Sequence, residues 1–377
     1  MTTAWVFFFG SLRDEACRDV VLGRPSVATP AVWPGWRVVW DARGESPVAL
    51  PGDGQAEGVL VEVGAEELAR LDFYEVGYDR RPTTVRIGRD GSGGETRALV
   101  YHMDDGARAS DEPWTLQAWR ARWGGVMLTA ARDAMALYGQ VDAQEMDRRW
   151  PMMLARGWAE RVAAAEDAPA ALRRGRTRDG VVRHERTRLQ RSFFAFDRAR
   201  LTHPTFDGGT GTITREVLVV GEAALVLPYD PATDRVLLIE QFRVGPYLRG
   251  DRRPWPLEPV AGLVDPLEDP AETARRETRE EAGIALAELI PVARGYPSPG
   301  TSTEHYHLFV GIADLSGVGG RTGGLETEGE DILTHVLPLD DALALIASGE
   351  IAVVPLMTLL YWAALNRGRL GGRPGAG

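Results

Sequence analysis

Apolar residues along this chain form short runs bounded by turn residues, and longer stretches with helical spacing. Residues 5–9 are uninterruptedly apolar and end at Gly10, which predicts a fully buried strand followed by a loop. Glycine, proline and aspartate separate further strand-like runs around 37–41, 58–63, 83–87 and 97–102. The first hundred residues are therefore predicted to be rich in strands.

A helical region follows and ends at a candidate domain boundary. Between residues 114 and 165, alanine, leucine, methionine and tryptophan recur three and four positions apart, with Pro151 as the single proline. This periodicity is lost over 164–175. We therefore predict two domains, at 1–168 and 177–371, and the length of 377 residues is ordinary for two.

The second half begins with strands and ends with helices. Strands are predicted around 211–220, 223–228 and 236–242, and residues 229–235 are typical of a hairpin connection. A helix is predicted over 270–282, because Pro270 suits its first turn and Gly283 its end. The glycine-rich segment 316–324 predicts a mobile loop, and two more helices are predicted at 339–348 and 355–366.

Composition narrows the class of protein. The chain carries 43 Lys and Arg against 54 Asp and Glu, a net charge of −11, which argues against a general nucleic-acid binder. A single cysteine, Cys17, excludes a disulfide framework and a multi-cysteine zinc site. No targeting segment is visible, and the apolar stretch 354–365 is shorter than the roughly 20 residues that span a bilayer. We expect a cytoplasmic protein without a membrane or nucleic-acid partner.

The strongest chemical signal is a carboxylate-rich helix after a glycine loop. Glu277, Glu280 and Glu281 lie three and four positions apart, so a helix places them on one face, where like charges repel. Mg²⁺ would offset this repulsion, because it favours carboxylate oxygens and keeps waters for a phosphate-bearing substrate. Taken alone, the same residues also suit a solvated acidic helix face.

The complete string over 262–284 resembles the Nudix box, the signature of hydrolases that cleave diphosphates linked to another moiety. Thr278 departs from the pattern, which prefers a larger apolar residue, and we expect its side chain in the core. The resemblance implies that Glu277 and Glu281 hold metal with Glu280 close by. It also implies that Glu268 and Arg276 pair to hold the loop against the helix.

The rest of the second half resembles the ADP-ribose pyrophosphatase subfamily from about 177 to 371. Resembling segments include 225–230, 238–243, 255–262 and 298–304, and Pro299 stands where the subfamily has its distinguishing proline. The resemblance implies substrate-binding residues (Phe193, Arg215, Arg243 and Glu304), further metal ligands (the Ala261 carbonyl and Glu330) and a catalytic base (Glu328). For Phe193, strand core and a shift of its role to Phe194 remain open, and 326–330 also suits a solvated loop.

The first half resembles the gamma-glutamylcyclotransferase-like fold, on residues 9–12 and 71–81. The resemblance implies that amides at Gly10, Ser11 and Leu12 hold a substrate carboxylate, and that Glu75 moves the proton while 5-oxoproline forms. Phe9 replaces the usual tyrosine. A binding or dimer-supporting module and an exposed acidic turn at Glu75 remain the alternatives.

His305 and His307 alternate on a predicted strand, but no third ligand lies nearby in the sequence, so zinc is not predicted. His305 also suits a strand edge or a contact with substrate.

Together these patterns predict two α+β domains, a cyclotransferase-like mixed barrel with helices and a Nudix α/β/α sandwich. The combination resembles a bacterial two-domain type known as tellurite resistance protein. The expected reaction is hydrolysis of ADP-ribose to AMP and ribose 5-phosphate with Mg²⁺, or Mn²⁺ as its substitute, in a homodimer. A γ-glutamyl compound is the expected ligand of the barrel. Hydrolysis of a sugar nucleotide or NADH, and binding of ADP-ribose without turnover, are the alternatives.

Overall fold

The computed structural model describes residues 3–103, 108–166, 171–173, 175–325 and 329–370. Its contacts divide the chain into two units. The first comprises Met1–Pro169 and Arg191–Phe193, and the second comprises Ala170–Gln190 and Phe194–Gly377. The exact domain bounds 1–168 and 177–371 stay a prediction.

The strands of the first unit form a closed barrel. They are β1 (Ala4–Phe8), β2 (Thr29–Asp41), β3 (Pro47–Val63), β4 (Asp79–Ile87), β5 (Glu95–His102) and β6 (Ala109–Pro113). The order β3-β1-β5-β4-β2 closes through pairing of β2 with β3, and β6 pairs with β2. Only β1 and β5 run parallel among these described pairs. The predicted mixed barrel is confirmed.

The barrel interior is apolar, and helices complete the unit. Phe7, Trp33, Leu60 and Val100 belong to one buried cluster. The helices are α1 (Glu15–Leu22), α2 (Ala65–Tyr74), α3 (Leu116–Trp119), α4 (Gly125–Met135) and α5 (Ala143–Ala165), with a π-helical turn at Arg120–Gly124. The predicted helical region is thus confirmed, except that residues 136–142 form the connection between α4 and α5.

The second unit contains two sheets. A three-stranded sheet holds β7 (Val182–Arg191), β8 (Ala195–Pro204) and β9 (Thr210–Val219) in that order. The larger sheet holds β10 (Glu222–Asp230), β11 (Arg235–Gln241), β12 (Leu257–Glu258), β13 (Val260–Leu263), β14 (Glu288–Gly295), β15 (His305–Ile312), β16 (Thr322–Gly323) and β17 (Ile332–Pro338). Its order is β14-β15-β10-β11-β17-β16, with β12 beside β11 and β13 beside β10. The predicted hairpin is confirmed, because Tyr229 pairs with Val236.

The larger sheet is covered by helices on both faces. The helices of this unit are α6 (Val244–Arg249), α7 (Pro270–Ala282), α8 (Leu339–Ser348) and α9 (Val354–Leu370). Leu225 and Leu227 pack in one cluster with residues of α8 and α9, whereas Ala224 and Val226 pack in another with α7. Successive side chains of β10 thus alternate between the two clusters, as expected for a strand that is buried on both faces of the sheet. The predicted α/β/α sandwich is confirmed.

Helix α7 begins and ends where the sequence predicts. The Asp269 side chain accepts a hydrogen bond from the Ala271 amide, Pro270 occupies the first turn, and Gly283 ends the helix with φ of 66°. Thr278 is fully buried, as predicted, and its hydroxyl donates to the Ala274 carbonyl at 2.6 Å. That bond removes the cost of burying a hydroxyl where the motif prefers an apolar group.

The glycine-rich segment 316–324 differs from the prediction of a mobile loop. It contains β16, and the Gly320 amide donates to the Thr334 carbonyl at 2.7 Å. A Cβ atom on Gly323 would lie 2.0 Å from the Glu281 carbonyl oxygen. Gly323 therefore serves close packing against α7, a tertiary requirement that composition does not distinguish from mobility. Within the described ranges, none of the helices has the length and apolarity needed to cross a membrane.

Candidate active site

The centre of the second unit is the contact between β13 and α7. A Cβ atom at Gly262 would lie 1.9 Å from Oε1 and 2.0 Å from Cδ of Glu277, so only glycine lets the carboxylate sit against this strand. Glu277 is 14% exposed at its side chain. The glycine of the motif therefore sets the position of one predicted metal ligand.

Arg276 joins the loop before α7 to the helix itself. Its Nε donates to Glu268 Oε1 at 3.1 Å and its Nη2 to Glu268 Oε2 at 3.1 Å, which confirms the predicted pair. Burial pushes the pKa of Glu268 upward, but hydrogen bonds from Arg276 and Thr273 outweigh it and lower the pKa. Hydrogen bonding to Glu268 in turn raises the pKa of Arg276.

Arg276 also lies between two of the clustered glutamates. Its Nη1 donates to Glu277 Oε1 at 2.6 Å and to Glu280 Oε2 at 3.1 Å. The repulsion that the sequence predicts on this helix face is therefore partly offset within the protein.

Glu281 is left without such compensation. It is 1% exposed, and its Oε2 accepts a hydrogen bond from the Ala261 amide at 3.1 Å. Its Oε1 is buried and has no hydrogen-bond partner among the residues that the structure describes. Burial raises the pKa of Glu281 well above the ordinary value, and the charges of Glu277 and Glu330 raise it further. An unpartnered buried carboxylate oxygen is costly unless a cation completes the site.

The residues present suit a hard divalent cation. The free Glu281 Oε1 and the nearby Glu277 and Glu330 carboxylates are oxygen donors of the kind that Mg²⁺ prefers. Glu330 also accepts a hydrogen bond from the Leu325 amide at 3.1 Å. The carbonyl of Ala261 stays a predicted ligand. Glu328, the predicted base, lies outside the described residues.

A buried acid that sequence reasoning missed lies beside this centre. Burial raises the pKa of Glu258, whose Oε2 accepts hydrogen bonds from Arg243 Nε at 2.9 Å and Gln241 Nε2 at 3.3 Å. The charge of Arg243 also acts on Glu281. Arg243, a predicted substrate-binding residue, is therefore oriented by Glu258 near Glu281, a predicted metal ligand. Glu258 lies in segment 255–262, which resembles the ADP-ribose pyrophosphatase subfamily, but the resemblance assigned no role to Glu258 itself.

Glu304 belongs to the same neighbourhood. Burial raises its pKa, while a hydrogen bond from Tyr306 lowers it. Burial likewise raises the pKa of the Tyr306 phenol, which also feels the charges of Glu258 and Arg243. The structure thus brings Glu304 near Arg243 through Tyr306.

Two predicted substrate residues are not brought into this cluster. Arg215 is exposed on β9 and donates from Nη1 to the Thr214 carbonyl at 2.8 Å. Phe193 lies in the bend between β7 and β8, and its side chain is 53% exposed. The division of the chain by contacts assigns Phe193 to the first unit. Phe194 is 46% exposed. The substrate roles of Arg215 and of either phenylalanine stay predictions.

The first unit contains its own enclosed site. A cavity of about 180 Å³ is bordered by Gly10, Ser11, Leu12 and Glu75, which brings together two motifs more than sixty residues apart. Aromatic side chains of Tyr74, Tyr101 and Trp150 also line it. Burial raises the pKa of Glu75 to about 7. Such a group is poised to hold or release a proton near neutrality.

Comparison with known proteins assigns each unit to a family. Residues 6–121 match the family model described as gamma-glutamyl cyclotransferase, AIG2-like, and residues 220–357 match the NUDIX domain model. An ADP-ribose pyrophosphatase of Haemophilus influenzae is 38% identical over 185 residues, covering 48% of this chain and 85% of that protein.

Two further relatives cover the same half. An ADP-ribose pyrophosphatase of Escherichia coli strain K12 is 37% identical over 182 residues, covering 48% of this chain and 86% of the relative. A GDP-mannose pyrophosphatase of Pectobacterium atrosepticum is 35% identical over 160 residues, covering 42% of this chain and 81% of the relative. With the glycine loop and carboxylate helix in place, the chain belongs to the Nudix hydrolase family, with a gamma-glutamyl cyclotransferase-like domain in its first unit.

Proposed function

We propose that the second unit hydrolyses the diphosphate bond of ADP-ribose and releases AMP and ribose 5-phosphate. The observation that carries this proposal is the buried Glu281 carboxylate, whose Oε1 has no hydrogen-bond partner within the described part of the chain, while the charge of Glu277 acts on it. The relatives named ADP-ribose pyrophosphatase support the choice of substrate.

The chain supplies three kinds of group for this reaction. Glu277, Glu281, Glu330 and the Ala261 carbonyl would hold Mg²⁺, or Mn²⁺ in its place, which neutralises the diphosphate and makes bound water more acidic. Arg243 offers a planar set of donors to phosphate oxygens, and Glu258 orients it. In its predicted role, Glu328 takes the proton from the attacking water, and Glu280 adds negative charge close by.

Substrate choice has a second candidate with its own support. The GDP-mannose pyrophosphatase relative favours a sugar nucleotide, since Arg243 would suit any diphosphate. A protein that binds ADP-ribose without turnover would not require this carboxylate cluster. Release of AMP is the property that separates the hydrolase from the binding protein.

We expect a substrate panel to decide between these functions. The full chain, with Mg²⁺ or Mn²⁺, would be assayed on ADP-ribose, GDP-mannose, other sugar nucleotides and NADH for nucleoside monophosphate release. The highest kcat/KM is expected for ADP-ribose. A higher kcat/KM for another compound would identify that compound as the substrate instead. Tight ADP-ribose binding without AMP release would refute hydrolysis.

The predicted homodimer and cytoplasmic location belong to the same proposal. By resemblance, a partner subunit shares the substrate pocket, so Arg215 and Phe193 can act there without joining the Glu281 cluster of their own chain. Light scattering on the purified chain should give twice the mass of 41.2 kDa. A mass of one chain at assay concentrations would contradict the dimer.

For the first unit we propose cyclisation of a γ-glutamyl amine to 5-oxoproline with release of the amine. The supporting observation is that Glu75, with a pKa of about 7, borders the same cavity as Gly10, Ser11 and Leu12. Glu75 would take a proton from the attacking α-amine and return it to the departing amine. The α-nitrogen bonds to the γ-carbonyl carbon while the bond between that carbon and the departing amine breaks, so the reaction needs no further reactant.

Glu75→Gln should lower 5-oxoproline release from γ-glutamyl amines by about 100-fold or more, because it removes the group that moves the proton. In the wild type, kcat/KM should rise with pH up to about 7, as Glu75 loses its proton, and then level. The matched control is Glu66→Gln, an exposed position on the same helix α2. Equal rates in Glu75→Gln and the wild type would rule out this role.

A further inference from the structure

A second group of metal-binding side chains lies on the larger sheet. Glu222 is the first residue of β10, and His305 is the first residue of the parallel neighbour β15. The register pairs Glu222 with His305 and Ala224 with His307. Because alternate strand residues share a face, Glu222 and both histidines point to the same side of the sheet.

Their ligand atoms converge. One nitrogen of each histidine and a Glu222 oxygen all lie within 4.8 Å of one another, the single such trio among the residues that the structure describes. His307 Nε2 and Glu222 Oε2 are 2.7 Å apart, and the two imidazole rings are 5.4 Å apart at an angle of 77°. The side chains of Glu222 and His307 are 13% and 14% exposed. The group is thus compact and partly shielded, and it can still be reached by an ion.

We propose that Glu222, His305 and His307 bind a divalent transition metal ion of the zinc class. Two imidazole nitrogens and one carboxylate oxygen form a donor set that suits zinc and its neighbours in the first transition series. Mg²⁺ and Ca²⁺ favour oxygen-only sites, so this group selects a different ion from the carboxylates of α7. Three protein ligands also leave a coordination position for water.

The proposed site and the proposed catalytic centre have different ligands. The proposed site shares no residue with the Glu277 and Glu281 cluster. His305 and His307 alternate with Tyr306, which packs with the α8 and α9 cluster, whereas Phe309 packs with the α7 cluster. The histidines therefore lie on the α7 face, opposite the Glu304 and Tyr306 pair.

Metal binding at this site would stabilise the contact between the start of β10, the segment before β15 and the loop before α7. Tyr296 packs edge-on against His305 with ring centroids 5.0 Å apart, so the segment before β15 reaches the site. The Glu222 carbonyl accepts a hydrogen bond from the Val264 amide at 2.9 Å, which connects the start of β10 to the loop before α7. The role we assign is stabilisation of these segments, without participation in the hydrolysis step.

The sheet contains a matched control. His335 Nε2 and Glu240 Oε2 are 2.8 Å apart on β17 and β11, the same type of pair, but they belong to no such trio among the described residues. His335→Gln thus removes a histidine–glutamate pair without touching the proposed site. Glu281→Gln serves as the second control, because it removes a ligand of the other metal.

The test is Co²⁺ titration of the chelator-treated full chain, followed by visible d–d absorption and displacement with Zn²⁺. The wild type, His335→Gln and Glu281→Gln should each develop the same d–d spectrum, with one equivalent of Co²⁺ bound at the Glu222, His305 and His307 site. His305→Gln and His307→Gln should bind it more than about tenfold more weakly, since even the loss of a supporting contact costs 10–100-fold. Zn²⁺ should raise the Tm of the wild type and His335→Gln but not of His307→Gln.

Two results would overturn the site: equal Co²⁺ affinity and spectra in His307→Gln and His335→Gln, or loss of the signal in Glu281→Gln alone. If a histidine variant does not fold, Glu222→Gln gives the same answer, because glutamine can keep a hydrogen bond to His307 but is a poor ligand. None of these readouts uses hydrolysis, so failure of the proposed enzymatic function would leave this test intact.

Discussion

Replacing Glu281 with glutamine is expected to lower the rate of ADP-ribose hydrolysis by at least about 100-fold, because loss of a direct ligand should cost at least as much as loss of an outer contact. The side chain is fully buried, and no described residue forms a hydrogen bond with its Oε1. Glutamine preserves the shape and the acceptor for the Ala261 amide, while it removes the charge that would hold the cation. The fold should therefore remain.

The same substitution should stabilise the metal-free protein at neutral pH. Burial raises the pKa of Glu281 in the folded state above the ordinary glutamate value of about 4.3, so the folded state binds its proton more tightly than the unfolded state does. The free energy of unfolding of the wild type must then fall as pH rises above that value through the folded pKa. Glu281→Gln lacks this contribution, so its stability should fall less.

Steady-state AMP release and urea unfolding with chelator, each from pH 4 to 8, measure these effects. Glu272→Gln, an exposed position on the same helix, is the matched control and should change neither property. Wild-type turnover in Glu281→Gln would refute the assignment of this residue. Lower stability of that variant at neutral pH would show that the buried charge is compensated within the protein.

Gly262→Ala is expected to cause a comparable loss of hydrolysis with a much smaller change in Tm. The added Cβ would overlap Oε1, Cδ and Cγ of Glu277, at 1.9, 2.0 and 2.4 Å. The carboxylate must move away from β13, so the metal loses a ligand position, whereas the strand itself keeps its pairing with β10. We expect a decrease in kcat/KM of about 100-fold for ADP-ribose.

Gly368→Ala provides the comparison, since no described residue outside the adjoining turns of α9 lies within 4 Å of a Cβ at this position. Gly368→Ala should retain full activity, and its Tm should equal or exceed that of the wild type, because alanine has a higher helix propensity than glycine. Raising Mg²⁺ or Mn²⁺ concentration should restore part of the activity of Gly262→Ala, because a displaced ligand weakens affinity before it abolishes chemistry. Unchanged kcat/KM in Gly262→Ala would show that Glu277 does not act from the observed position.

Local signals predicted the elements well where short-range chemistry decides them. Helix α7 begins at Pro270 and ends before Gly283 because capping and left-handed glycine geometry depend on a few adjacent residues. The hairpin after Tyr229 followed for the same reason, whereas the burial of Thr278 followed from the apolar preference of the motif at that position. Motif spacing likewise identified Glu277 and Glu281, since helical periodicity alone brings them to one face.

Contacts between distant segments were beyond local signals. Glu258 orients Arg243 from a separate strand, and the 316–324 segment packs closely on α7 where its glycines had predicted mobility. Each of these outcomes depends on strand order, which sequence periodicity does not specify.

By itself, the sequence determined the bounds of helix α7, the two families and the carboxylates of the Nudix helix, because those depend on residues that lie close together along the chain. The tertiary structure decided which acid stays uncompensated, namely Glu281, since only packing against β13 removes it from water. It also decided that Glu222 meets His305 and His307, more than eighty residues away, because parallel pairing of β10 with β15 sets their register.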